Sequence, residues 1–224
     1  MKTFKSKKRA AWLMAAVMMG TFTFGGMTMQ TTYAAVPTET LVHDSQMKHA
    51  TIKDLDNDTR VFAVDKTIEV KKVTFQNRYG FDVAGHLYLP KDFDDTKQYK
   101  AVVVTGPFGA VKEQSSGLYA QEMAKNGFVA VAFDPSTTGE SSGKRRNMGS
   151  PEIFTEDYSA AVDFVSNLKF VNPKQIGAIG ICGLSGMAIT AATNDTRIKA
   201  VATSAMYDMS DSIRNHYQGD YYTP

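Results

Sequence analysis

The sequence contains a single cysteine, Cys182, and only four histidines in 224 residues. One cysteine excludes an internal disulfide and any multi-cysteine zinc site. His43, His49, His86 and His216 show no metal-ligand spacing, so no metal is expected, and the first three read as surface or packing residues. A nucleotide-phosphate loop is also missing. Gly177, Gly180, Gly183 and Gly186 recur every third residue and do not form G-x-G-x-x-G, which argues against a flavodoxin-like cofactor binder; no cofactor is expected. Residues 54–58 are acidic but lack the glycine and distal glutamate of a calcium loop and read as a solvated turn. The one basic cluster, Lys144-Arg145-Arg146, sits beside glycine and reads as a solvated loop, which leaves no case for nucleic acid.

The formal net charge of +2 belongs to the first residues. Lys2, Lys5, Lys7, Lys8 and Arg9 precede an apolar stretch over 10–24 and a more polar segment that ends Tyr33-Ala34-Ala35. That layout predicts a secretory signal over 1–34, cleaved after Ala34 or Ala35, and hence an exported protein with no stable membrane insertion after cleavage. Gly20, Gly25 and Gly26 make the stretch a poor spanning helix. Without residues 1–34 the chain keeps 20 basic against 23 acidic side chains. The remaining length suits one domain with a sizeable core.

Residues 35–65 are polar and weakly periodic and read as a leader lying on the outside of the domain. Two alternating segments, 66–75 and 81–89, flank the turn Asn77-Arg78-Tyr79-Gly80 and predict an antiparallel hairpin. From Lys100 the character changes. The runs 101–104, 128–133, 176–181 and 198–204 read as buried strands, and helices are expected over 113–126, 152–169 and 183–193. Alternating strands and helices imply an α/β fold: a doubly wound, mostly parallel sheet behind an N-terminal antiparallel hairpin, in a domain covering 66–224.

The segment 175–188, QIGAIGICGLSGMA, is the most informative. An apolar run gives way at once to small residues and Cys182, as where a strand turns sharply into a helix. A side chain on such a turn is pushed out of the sheet, next to a helix N-terminus that favours negative charge. Cys182 is therefore the candidate nucleophile. A second frame takes Ser185 from Gly183-Leu184-Ser185-Gly186-Met187 and needs the strand to run through Gly183. A third reading is an inert cysteine buried at a strand end.

With these pieces in this order the chain resembles an α/β-hydrolase, close to bacterial exported relatives of the dienelactone-hydrolase type. Four segments carry the resemblance: LYLPKDF, TGPFGAVKEQ, FDPSTTGESSG, and GICGLSGMA with its sequel RIKAVATSAMYDM. It implies hydrolysis of a small-molecule ester or amide through a covalent acyl-enzyme. It also implies an oxyanion hole from the N–H of Gly183 and an N–H of the 106–109 loop, at Phe108 or alternatively Gly109; Pro107 has no N–H to give. Asp134 and Gly139-Glu140-Ser141 fall in a loop that shapes the pocket rim, with Asp134 structural. Glu113 opens a helix and is a lesser candidate for positioning the thiol. One departure stands out: the glycine usual two residues after the nucleophile is Leu184, which is expected to crowd the turn unless Gly183, Ser185 and Gly186 relieve it.

In that family the order is nucleophile, acid, histidine, the last two after the seventh and eighth strands. Residues 198–204 read as the sixth. After Cys182 only His216 can serve as base, with Asp208 as acid, in a segment 205–224 that resembles the start of a cap. The chain thus reads as the N-terminal part of a longer hydrolase with impaired turnover, or as a non-catalytic small-molecule-binding module. Its last strand would then be an exposed edge open to self-association.

Overall fold

The computed structural model describes residues 49–206 and 208–215. The segment 1–34 expected to be a signal, His43 and His216 lie outside the described residues. Among the described residues, no helix is long and apolar enough to cross a membrane.

Seven strands form one sheet in the order β1-β2-β3-β5-β4-β6-β7. They are β1 (Thr51–Asp54), β2 (Val70–Gln76), β3 (Asp82–Tyr88), β4 (Tyr99–Thr105), β5 (Val129–Phe133), β6 (Val171–Ile181) and β7 (Ile198–Ser204). β1, β2 and β3 pair antiparallel, and β3 joins β5 antiparallel. β5, β4, β6 and β7 run parallel. Among the described residues there are four α-helices: α1 (Ser115–Lys125), α2 (Pro151–Ser166), α3 (Ser185–Asn194) and α4 (Met209–Asn215). This is the expected α/β architecture.

The β-branched runs explain the centre. Residues of β4 and β5 alternate between two cores: Val103, Val131 and Phe133 pack with α2 and α3, whereas Val102, Val104, Ala130 and Ala132 pack with Ala120 and Ala124 of α1. Successive side chains of a strand point to opposite faces, so a strand apolar throughout needs helices on both sides. The α2 stripe falls as its spacing predicts over Tyr158, Val162 and Val165, all fully buried; the helix ends at Ser166, short of the expected 169, and Leu168 is buried just beyond it. Its start is fixed by Ser150, whose Oγ accepts from the Ile153 N–H at 3.4 Å, and by Pro151 in the first turn.

Three details differ from expectation. β1 lies in the supposed leader and pairs with β2 through Thr51–Asp54; only Ile52 of its four residues is buried. β6 begins at Val171, five residues before the apolar run, because the Asn172–Gln175 stretch is accommodated as an irregularity between the Tyr99–Val171 and Ala101–Ile176 pairs. Arg146 is not simply solvated: its guanidinium donates to the carbonyls of Ser141 and Gly139, closing the loop after β5.

Candidate functional site

Strand β6 ends at Ile181 in extended conformation, and Cys182 follows with a φ of 57°. A single 3₁₀ turn, Cys182–Leu184, leads into α3. A non-glycine residue in the left-handed region is held there by its surroundings. Three contacts do the holding. The Ser185 hydroxyl donates to the Gly180 carbonyl at 2.9 Å. The Tyr158 hydroxyl, fully buried, donates to the Ile179 carbonyl at 3.1 Å and lies 3.5 Å from that of Leu184. Gly180 leaves the space the turn needs, since a Cβ there would stand 2.5 Å from the Ser185 Cα. Cys182 is half-buried and packs against the core cluster on the α1 side of the sheet, which includes Val104, Ile179 and Ile181.

The Ser185 frame is not the observed one. The strand stops at Ile181, and Ser185 is a fully buried first residue of α3 with its hydroxyl committed to the turn. Leu184 does not crowd the turn either. The 3₁₀ geometry sends its side chain into the core beside α2, where it is fully buried, so the small neighbours are not called on to relieve it.

The loop expected to complete an oxyanion hole runs alongside this turn. Thr105 pairs with Gly180, and a Cβ on Gly106 would stand 2.3 Å from the Ile181 carbonyl oxygen. Gly106 also has a φ of 107°, so both its conformation and its closeness to β6 require glycine. Phe108 is 42 % exposed, with its ring against Phe154 of α2 at 6.1 Å.

Behind this loop lies a charged cluster that sequence reasoning did not assemble. Lys112 is completely buried, its ammonium 2.7 Å from Glu113, 3.0 Å from Asp134 and 2.8 Å from Glu140. Burial alone would drive the proton off; the carboxylates, Asp134 foremost, more than reverse this and hold the ammonium above its ordinary range. Glu140 shows the converse: against the penalty of burial, the bonds from Lys112 and Lys72 pull it down to about 2. Asp134 has the structural role expected of it, accepting from the Lys112 N–H at 2.7 Å and the Glu140 N–H at 2.9 Å. Glu113 precedes α1 and is taken up by Lys112, with the His86 Nε2 at 3.8 Å. His86 is a packing residue, 3 % exposed; burial and then the Lys112 charge lower its pKa to about 4, so it is neutral at neutral pH.

Gly183 opens onto a cleft of about 510 Å³ between α2, α3 and the segment after β7. Asp208 lines it. Its carboxylate caps α4, with Oδ1 accepting from the Ser210 hydroxyl at 2.7 Å, the Ser210 N–H at 2.8 Å and the Asp211 N–H at 3.0 Å. Those bonds, the hydroxyl's first, hold Asp208 below the usual carboxylate range. The structure thus brings Cys182, Gly183 and the 106–109 loop to one end of the parallel strands. It places Asp208 across the cleft in a capping role. Among the described residues no group of three His, Cys, Asp or Glu side chains is placed to hold a metal ion.

The profile of the X-Pro dipeptidyl-peptidase (S15) family matches residues 80–221. The chain belongs to that family. It is 57% identical over 158 residues to the uncharacterized protein PA2218 of Pseudomonas aeruginosa, an alignment covering 70% of this chain and 42% of that protein. The crystal structure of PA2218 superimposes with a TM-score of 0.71 at 53% identity, covering 76% of this chain and 53% of that one. Thiohydrolase aneE of Aspergillus aculeatus is 34% identical over 130 residues, 58% of this chain and 39% of the enzyme. The α/β hydrolase GrgF from Penicillium sp. sh18 shares the fold, with a TM-score of 0.57 at 24% identity over 61% of this chain and 46% of its own. The chain therefore spans about half or less of the length of these relatives. The α/β-hydrolase fold expected from the sequence is the one these comparisons show.

Proposed function

We propose that this chain carries the nucleophile of a hydrolase that cleaves esters, thioesters or amides through an acyl-enzyme on Cys182. The observation that carries this reading is the left-handed Cys182 at the end of β6, raised on a turn that Gly180, Ser185 and Tyr158 build around it. Attack by the thiol would place the developing oxyanion between the Gly183 N–H and an N–H of the 106–109 loop, Phe108 or Gly109. The thioester is included because a thiohydrolase is among the relatives. Export of the protein after removal of residues 1–34 is part of the same proposal.

A binding role without turnover is the second reading, and one observation favours it. Neither described histidine, His49 nor His86, is hydrogen-bonded to Cys182, and the Asp208 carboxylate is occupied at the start of α4. The two readings part on one measurement. Iodoacetamide at pH 6 should alkylate Cys182 in the folded protein, as judged by intact mass, and a free-thiol rate well above that of a buried cysteine supports the nucleophile. Alkylation seen only after denaturation overturns it.

A further inference from the structure

The two faces of the parallel strands are not covered alike. On one face α2 and α3 pack over the strands, with Ala178 of β6 and Ile198 of β7 buried there. On the other, Ala120 and Ala124 of α1 meet Val102, Val104, Ala130 and Ala132 of β4 and β5. Gly177 of β6 pairs with Ala200 of β7 and Ile179 with Ala202, so these four residues share that second face. Ala200 and Ala202 are exposed on it. A groove of about 550 Å³ results, with Ile179, Ala200 and Ala202 in its floor and Met123 and Phe128 in its wall. That volume lies within the usual range for a small-ligand site. Towards Cys182 the face is bridged, because the Tyr119 hydroxyl of α1 lies 2.7 Å from that of Ser204 in β7.

The charge of the groove is of one sign. Lys100, Lys174 and Lys199 line it, and among the described residues no aspartate or glutamate does. Ala101, Ile176 and Ile198 stand in one row across β4, β6 and β7, and the three lysines lie within two residues of that row. The cations are therefore gathered at one end, away from Cys182. Among the described residues none of the three forms an ion pair. The Lys199 ammonium donates to the Thr196 carbonyl at 2.7 Å, and that of Lys100 lies 6.0 Å from the centre of the Phe128 ring. Neutral partners leave an ammonium its charge. An acidic amphipathic helix would need cations spaced along the groove, whereas these stand at one end of an apolar floor. From Lys199 to Ala202 the strand rises about 10 Å, enough for an alkyl chain of medium length. We propose that this groove binds a free single-chain carboxylate of the fatty-acid class, with its head among Lys100, Lys174 and Lys199 and its chain over Ile179, Ala200 and Ala202. The site stands apart from Cys182 and does not rest on its being a nucleophile.

The test is calorimetric titration of the full chain with hexanoate, decanoate and decyltrimethylammonium, each below its micelle concentration. Decanoate should bind at least tenfold more tightly than hexanoate, because four further methylenes leave water. It should also bind at least tenfold more tightly than decyltrimethylammonium, which has the same chain and the opposite charge. Ala200→Phe and, independently, Ala202→Phe fill the groove and should each weaken decanoate at least tenfold. Lys100→Gln combined with Lys174→Gln should weaken it at least fivefold. Both lysines are exposed, so this variant keeps the fold and decides the matter if neither phenylalanine is tolerated. Absence of decanoate binding, equal affinity for the two decyl compounds, or affinity unchanged by the lysine substitutions or by both phenylalanines overturns the proposal. Binding to phosphatidylglycerol vesicles without binding to free decanoate would make the face a membrane contact and overturn it equally.

Discussion

Gly180 and Ser185 meet across the turn that carries Cys182: the Ser185 hydroxyl reaches the Gly180 carbonyl at 2.9 Å, and only a glycine leaves room for the Ser185 backbone to come so near. A methyl group at position 180 would stand 2.5 Å from the Ser185 Cα and 2.9 Å from the Ala188 Cβ. Neither neighbour is the end of a flexible side chain, so β6 and α3 must separate. Gly180→Ala is expected to cost about 3 kcal/mol, the upper range for overpacking, in urea denaturation. It should also slow alkylation of Cys182 in the folded protein. Gly186→Ala, in the same helix but facing open space, should instead be neutral or more stable by about 0.5–1 kcal/mol. Equal destabilisation by the two substitutions would show that the turn does not depend on this approach.

Lys112 supports a second prediction. It is the one cation shared by Glu113, Asp134 and Glu140, and it ties the loop before α1 to the loop after β5. Lys112→Met keeps the length of the side chain and removes the charge, leaving Asp134 buried beside two further carboxylates. Breaking a buried pair from one side costs about 3–5 kcal/mol, because the remaining charge has no partner. Chemical denaturation of the variant near neutral pH should show a loss of that size, and a loss under about 1 kcal/mol, the ordinary value of an exposed pair, would place Lys112 outside the folding core.

These examples separate what the amino-acid sequence reveals from what it conceals. Ile198–Ser204 is found as a strand with the same ends in both readings, and the α2 stripe is found through Tyr158, Val162 and Val165, because period and apolarity are local properties. β1 is concealed because Thr51, Lys53 and Asp54 are polar and exposed, so that Ile52 alone cannot signal a period. The Lys112 cluster is concealed for a different reason. Its members stand 22 and 28 residues apart in the chain, and no spacing rule links a lysine in a loop to carboxylates brought in by another strand. The turn at Cys182 was legible from its small residues. The direction taken by Leu184 was not, because it is set by the 3₁₀ turn and by the space beneath α2.

Two buried groups should shape the pH dependence of stability in opposite directions. Burial, followed by the Lys112 charge, lowers His86 from 6.5 to about 4, so between those values the unfolded chain binds the extra proton and stability falls as pH falls. Burial raises Asp157 from 3.8 to about 6, against hydrogen bonds from Ser136 and Asn77, so over that interval the folded chain binds the extra proton and stability falls as pH rises. Each group accounts for a slope of at most about 1.4 kcal/mol per pH unit. His86→Gln should therefore lose less stability on acidification than the parent, and Asp157→Asn should lose less as pH rises from 4 to 6. Denaturation curves collected across pH 4–6.5 test both, and variants whose stability runs parallel to the parent's would remove these two groups from the titration.

β7 supplies the last prediction. Among the described residues it ends the sheet order, pairing with β6 on one side, and Lys199, Ala200, Ala202 and Thr203 are exposed. Unpaired N–H and C=O groups along such a strand offer a template to a second copy, and a short aliphatic surface adds a hydrophobic contribution. Lys199 is the strand's only charge, and its ammonium is turned back onto the Thr196 carbonyl at 2.7 Å, which limits its effect as a guard. We expect the purified chain to associate with rising concentration in sedimentation velocity. Ala202→Lys, which adds a charge at the middle of the exposed edge, should shift that association to concentrations at least tenfold higher while leaving the circular dichroism unchanged. A parent chain that stays monomeric throughout, or a variant that associates equally well, would mean that β7 is not the contact.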